Sequence, residues 1–170
     1  MTWTKIATYA AFVLTALIQS ASGTESHARK SQELVVEHAE IVLAPPGAMM
    51  MAGYLTIWNG TRTQAELRSV ESDTFGSVSI HRTLVSGDVA RMRPVEGSLP
   101  IPGQSELLMK RGSIHLMLAD PKNPLVEGQA IAMTLVFEDG RRLEALARLF
   151  APGTKATDHH HGGADGTGNE

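Results

Sequence analysis

Residues 113–118 read Ser113-Ile114-His115-Leu116-Met117-Leu118. Along a strand, side chains alternate between two faces. Ile114, Leu116 and Leu118 therefore share one face, and His115 and Met117 share the other. Three aliphatics in a row mark the core side. Methionine in a strand ordinarily fills a core, but here that face is already taken. The reading is a strand that presents an imidazole and a thioether side by side, away from the hydrocarbon interior.

Working outward, residues 77–85 and 88–95 flank Ser86-Gly87. With those two residues as the loop, Val85 faces Asp88 and His81 faces Met92, their Cβ atoms about 5 Å apart. His81 shares its face with Ser79 and Thr83, while Val78, Ile80 and Leu84 point the other way. The same register sets Arg82 against Arg91 on the apolar side. Either those ends of the hairpin splay into solvent, or the loop differs by one residue. A bulge would keep His81 and Met92 near each other without opposing them.

The rest of the chain follows the same pattern of short apolar runs between turn signals. Strands are expected over residues 33–43, 53–58, 65–70, 106–109, 131–138 and 141–149. Pro45-Pro46-Gly47 and Asn59-Gly60 close two of them, and Pro100, Pro102 and Gly103 mark a loop. Asp139-Gly140 signals a two-residue hairpin turn. No long stretch has helical periodicity, so the expected fold is an all-β sandwich or barrel. The first 23 residues read as a signal peptide: Lys5, an uncharged apolar run over residues 6–18, then Ser20, Ala21, Ser22 and Gly23. That run is too short to span a bilayer, which takes about 20 residues. Residues 24–150 form the expected domain, with no membrane span in the mature chain. Residues 151–170, rich in Gly, Asp, Thr and His, form an expected disordered tail.

Composition narrows the function. A formal net charge of −3 leaves no basic footprint for nucleic acid. The 170 residues contain no cysteine, which excludes thiolate metal sites, thiol catalysis and a blue-copper centre. No nucleophile elbow, paired-carboxylate motif or zinc-protease motif occurs, so an enzyme is not expected. What stands out is two strand segments that each offer one His and one Met on a non-core face. Zinc sites use Cys, His or carboxylate, and hard cations want oxygen. Thioether donors suit Cu(I). The tail adds His159, His160 and His161, a candidate second site preferring Cu(II). The alternative is a metal-free sandwich used for adhesion or assembly.

His81, ten residues, Met92, twenty-two residues, His115-Leu116-Met117 is similar to the ligand pattern of the periplasmic copper chaperones called PCu(A)C. Ala44-Pro45-Pro46-Gly47, Gly53-Tyr54-Leu55-Thr56, Met92-Arg93-Pro94-Val95 and Pro124-Leu125 with Glu127-Gly128 resemble the same family. The likeness runs over about residues 33 to 150. It implies a cupredoxin-like Greek-key β-sandwich and an exposed Cu(I) site made by His81, Met92, His115 and Met117. It also implies a periplasmic location, and copper delivery to cytochrome c oxidase subunit II, which holds the binuclear copper site, or to another copper chaperone. Met49-Met50-Met51 stands where many members carry other residues; it either adds thioethers near the site or fills loop and strand.

Overall fold

A computed structural model describes residues 32–154. The expected signal peptide over residues 1–23, and the tail histidines His159, His160 and His161, lie outside the described residues.

Ten strands make up the described chain, and no helix occurs in it: β1 (Leu34–Val42), β2 (Met50–Asn59), β3 (Ala65–Glu71), β4 (Phe75–Ser86), β5 (Val89–Pro94), β6 (Leu99–Ile101), β7 (Ser105–Leu108), β8 (Ile114–Pro121), β9 (Ala130–Phe137) and β10 (Arg142–Phe150). They pair in the order β5-β4-β8-β2-β1-β10-β9-β3-β6, with β7 added to β2 beyond β8. Only β1 and β10 run parallel.

This path cannot lie flat. β3 and β4 stand six neighbours apart along it, which in a flat sheet is about 29 Å. Yet only residues 72–74 join them, and that link reaches about 15 Å at most. The sheet therefore turns back over itself as a sandwich. Its interior joins Ile41, Leu55, Leu67, Leu116, Leu135 and Leu149, drawn from strands all along the path and each at most 1% exposed. Of the all-β sandwich or barrel expected from the strand pattern, the sandwich is the observed architecture.

Three local features depart from the expectations. The segment around Pro100 holds a short strand, β6, rather than a loop alone. It pairs only with β3, at the end of the path, so the missing N–H of Pro100 interrupts nothing. Pro100 is exposed, while Leu99 and Ile101 are buried. The turn between β9 and β10 is not a two-residue loop. Phe137 N–H donates to Arg141 O at 3.0 Å, which leaves Glu138, Asp139 and Gly140 in the loop. Only Gly140 has positive φ, +84°, whereas the primed turn expected of Asp-Gly needs it at both central residues. Finally, β2 begins at Met50, so Met51 is a core residue at 6% exposure and Met50 is not.

Candidate metal centre

The centre lies on the outer face of three neighbouring strands, β5, β4 and β8. The inner face explains why these residues face outward. Leu116 and Leu118 are fully buried and Ile80 is 8% exposed, so alternation sends His81, His115 and Met117 to the opposite side. Glycine at position 53 allows the close packing beneath them. A Cβ there would stand 3.1 Å from both Leu116 Cβ and Leu118 Cδ1.

The register arranges the four residues as a lattice. His81 pairs directly with His115, and Ser79 with Met117. The two imidazole centroids are 6.2 Å apart and tilted by 41°. Met117 is thus one step from both rings, two residues along β8 from His115 and diagonal to His81. Across the other edge of β4, Pro94 pairs with His81 and Met92 with Thr83. The expected direct pairing of His81 with Met92 does not form. The loop is Gly87-Asp88, because Ser86 pairs with Val89. β4 runs one residue further towards the turn than expected, and β5 starts one residue later. The displacement between strands is then two residues, which preserves faces. Met92 stays on the same side as His81, on a diagonal about 7–8 Å away. It lies two strands from His115 and Met117. The same shift sets Arg82 against Arg93 and Leu84 against Arg91.

Exposure differs sharply across the lattice. Met92 is 60% exposed on the edge strand, His81 and Met117 are half-buried, and His115 is 5% exposed. The expectation that all four face solvent therefore fails for His115. It sits on the outer face, but β8 is an inner strand of the path, flanked by β4 and β2. Burial of an imidazole demands a partner, and His115 has one: its Nδ1–H donates to Ser113 O at 3.0 Å. A carbonyl only accepts, so the neutral ring keeps its lone pair on Nε2, the atom that would meet a metal. His81 Nε2 lies 3.1 Å from Ser79 Oγ, a hydroxyl free to rotate away. Burial, and then the nearby His115, hold the His81 pKa below its ordinary value. Both causes favour the neutral ring, the form that binds metal.

No group of three or more His, Cys, Asp or Glu that could hold a metal gathers among the described residues. Among the described residues, the nitrogen and sulfur donors gathered on this face are two imidazoles and thioethers. That donor set fits a soft monovalent ion and fits zinc or a hard cation poorly. Two residues outside the ligand set expected from sequence, Ser79 and Ser113, contact the two rings. Ser79 was legible as the residue two positions before His81 on its face; the Ser113 carbonyl was not, since a backbone acceptor leaves no residue-type signal.

A family model described as Putative lipoprotein LpqE-like matches residues 34–148. Uncharacterized protein RP573 of Rickettsia prowazekii (strain Madrid E) is 29% identical over 133 residues, covering 72% of this chain and 74% of the relative. The solution structure of CuI-DR1885 from Deinococcus radiodurans is similar with a TM-score of 0.60 and 28% identity, covering 77% of this chain and 87% of that one. The copper-bound PCuAC domain from PmoF2 gives a TM-score of 0.58 and 26% identity, with 71% and 94% covered.

Proposed function

The chain belongs to the LpqE-like family, and from that premise we propose that it is an exported copper chaperone carrying Cu(I) on His81, His115, Met117 and Met92. The observation that carries this reading is the direct cross-strand pairing of the two imidazoles, with both methionines on the same face and, among the described residues, no cluster of three or more His, Cys, Asp or Glu to compete. The solved neighbours named for bound copper support it.

Four neutral ligands suit a carrier. They hold a monovalent ion without adding charge, and the two sulfurs bind independently of pH because thioethers do not titrate. His115 and His81 form the fixed half of the site, with Met117 beside them. Met92 is the adjustable ligand: β5 is exposed along its whole length and pairs only with β4. Binding draws Met92 over His81, and release begins when it swings back. A recipient approaching the edge strand meets Met92 first. The recipient we propose is the binuclear copper site of cytochrome c oxidase subunit II or another copper chaperone.

The family's lipoprotein name and the leader-like residues 1–23 support export to the periplasm. The 170 residues hold no cysteine to carry a lipid, so a cysteine anchor is not part of the proposal. The tail histidines His159, His160 and His161 are proposed as a separate site that prefers Cu(II).

The test is a Cu(I) competition titration against a chromophoric chelator. The reading expects one tightly held equivalent, lost in His81→Ala/His115→Ala and weakened in Met92→Leu/Met117→Leu, with melting temperatures showing the variants folded. Unchanged Cu(I) affinity in the folded double methionine variant would refute it.

A further inference from the structure

The methionines of the described domain fall into two sets. Met51, Met109 and Met133 are core residues at 6%, 1% and 1% exposure. Met49, Met50, Met92 and Met117 are not in the core. The ligand set above uses only Met92 and Met117, leaving Met49 and Met50 without a role.

Their position is specific. Ala52 pairs with Met117 and Met50 with Ala119, so Met50 lies on the outer face, diagonal to Met117 across the β2–β8 boundary. It stands to Met117 as Met92 stands to His81, within the diagonal reach of long side chains. Met49 precedes it, 81% exposed, and Met50 is 41% exposed. Exposing two unbranched apolar side chains gains nothing for folding. Met51, the next residue, is turned inward by alternation, so core filling explains that one alone. The diagonal from Met50 to Met117 is flanked by the small side chains of Ala52 and Ala119, which leaves room for two thioethers to approach each other.

Met50 also borders a cleft of about 280 Å³, with Tyr54, Arg111 and Pro152. The Arg111 guanidinium is directed elsewhere, over the Tyr54 ring at 6.0 Å and to Thr154 O at 3.5 Å. It does not pair with the sulfurs, and the cleft leaves Met50 open to solvent.

The geometry points to a second, all-thioether site for a soft monovalent metal ion, made by Met49 and Met50 with Met117 as a ligand shared with the histidine site. This inference rests on the copper reading above and adds to it an entry or exit station on the β2 side, opposite Met92. With sulfur donors alone it binds more weakly than the site with two imidazoles. Transfer between the sites is a ligand exchange at Met117, with no change of oxidation state and no proton released.

The experiment uses the whole chain with methyl-13C methionine, each signal identified by a single Met→Leu variant, titrated with Ag(I) as a redox-inert stand-in for Cu(I). The first equivalent should shift the methyl signals of Met92 and Met117. A second, weaker step should shift Met49 and Met50 and move Met117 again, while Met51, Met109 and Met133 stay still. Met50→Leu should abolish the second step and leave the first intact. If Met49 and Met50 remain unmoved through excess Ag(I) while Met92 and Met117 respond, the second site is refuted and the first survives. If Met49 and Met50 respond while Met92 and Met117 ignore the first equivalent, the four-ligand reading itself is refuted, and the shared role of Met117 with it.

Discussion

Two hairpins of this molecule use the same kind of chain reversal for opposite ends. The β9–β10 hairpin lies inside the pairing path, with β3 on one side and β1 on the other. Its inward residues Ile131, Met133, Leu135, Ala147 and Leu149 are all at most 2% exposed. The β4–β5 hairpin ends the path. Every residue of β5 is exposed, and Leu84, Val85 and Val89 near its turn are 48%, 69% and 53% exposed. In the first, burial on one face enforces the register. In the second, the turn alone sets it towards the tip. The hairpin with the weaker hold carries Met92, and the strand beside it carries His115 on a firmly buried base. A carrier needs both: fixed ligands to select the ion and a movable one to let it go.

The largest contrast is in stability. Leu135→Ala should cost about 2–5 kcal/mol through lost burial and a cavity, whereas Val85→Ala should stay within about 0.5 kcal/mol. Urea unfolding of the two variants checks this. Similar losses would mean that the tip of the β4–β5 hairpin is packed after all.

The turns come next. Gly140 has φ +84° and Gly87 φ +59°, and neither has an atom within 4 Å of where a Cβ would lie. Alanine at either position therefore costs backbone strain only, about 1–2 kcal/mol. The outcomes should differ in kind. Gly140→Ala should lower the melting temperature and leave Cu(I) affinity alone. Gly87→Ala should weaken Cu(I) binding more than it lowers the melting temperature, because β5 has little besides its turn to hold Met92 in register. Equal Cu(I) affinity in the two variants would remove the proposed link between turn and ligand.

Acidity separates the two hairpins again. Burial and then the neighbouring His115 lower the His81 pKa, so the unfolded chain takes up this proton more readily than the fold does. The resulting stability is present above the unfolded value of about 6.5 and is lost as pH falls through it towards the folded value. An NMR titration should place the His81 midpoint below that of an exposed histidine. In His81→Gln, acid destabilisation between those two values should diminish. A midpoint above 6.5 would contradict the geometry.

The smallest effect concerns Arg82 and Arg93, which face each other across β4 and β5. Like charges directly opposed are unfavourable. Arg93→Glu should raise stability by about 0.2–1 kcal/mol, more at low salt. A loss of stability at low salt would show that the pair is not the liability its register suggests.

The sequence disclosed the strands and their faces better than it disclosed how they join. Leu116 and Leu118 were legible as core because alternation needs no knowledge of partners. The two turns were misread differently. Placing the loop at Ser86-Gly87 instead of Gly87-Asp88 changed the pairing by two and left Met92 on its correct face. Reading Asp139-Gly140 as a two-residue turn changed it by one, which for a buried strand pair would invert a face. β6 stayed hidden because Pro100 reads as a breaker, and only its place at the end of the path makes it acceptable. The burial of His115 was not legible at all: local alternation says which face a side chain takes, not how deeply the neighbouring strands enclose that face. The pairing of His81 with His115 is likewise a product of topology, since β4 and β8 are separated by three strands in the chain and adjacent in the sheet.

X-ray absorption of the Cu(I)-loaded chain tests the convergence of the four side chains most directly. The spectrum should require both nitrogen and sulfur neighbours, about two of each. In Met92→Leu/Met117→Leu the sulfur contribution should fall while the nitrogen one persists. A first shell containing nitrogen or oxygen alone, or a sulfur contribution unchanged in that double variant, would contradict the account.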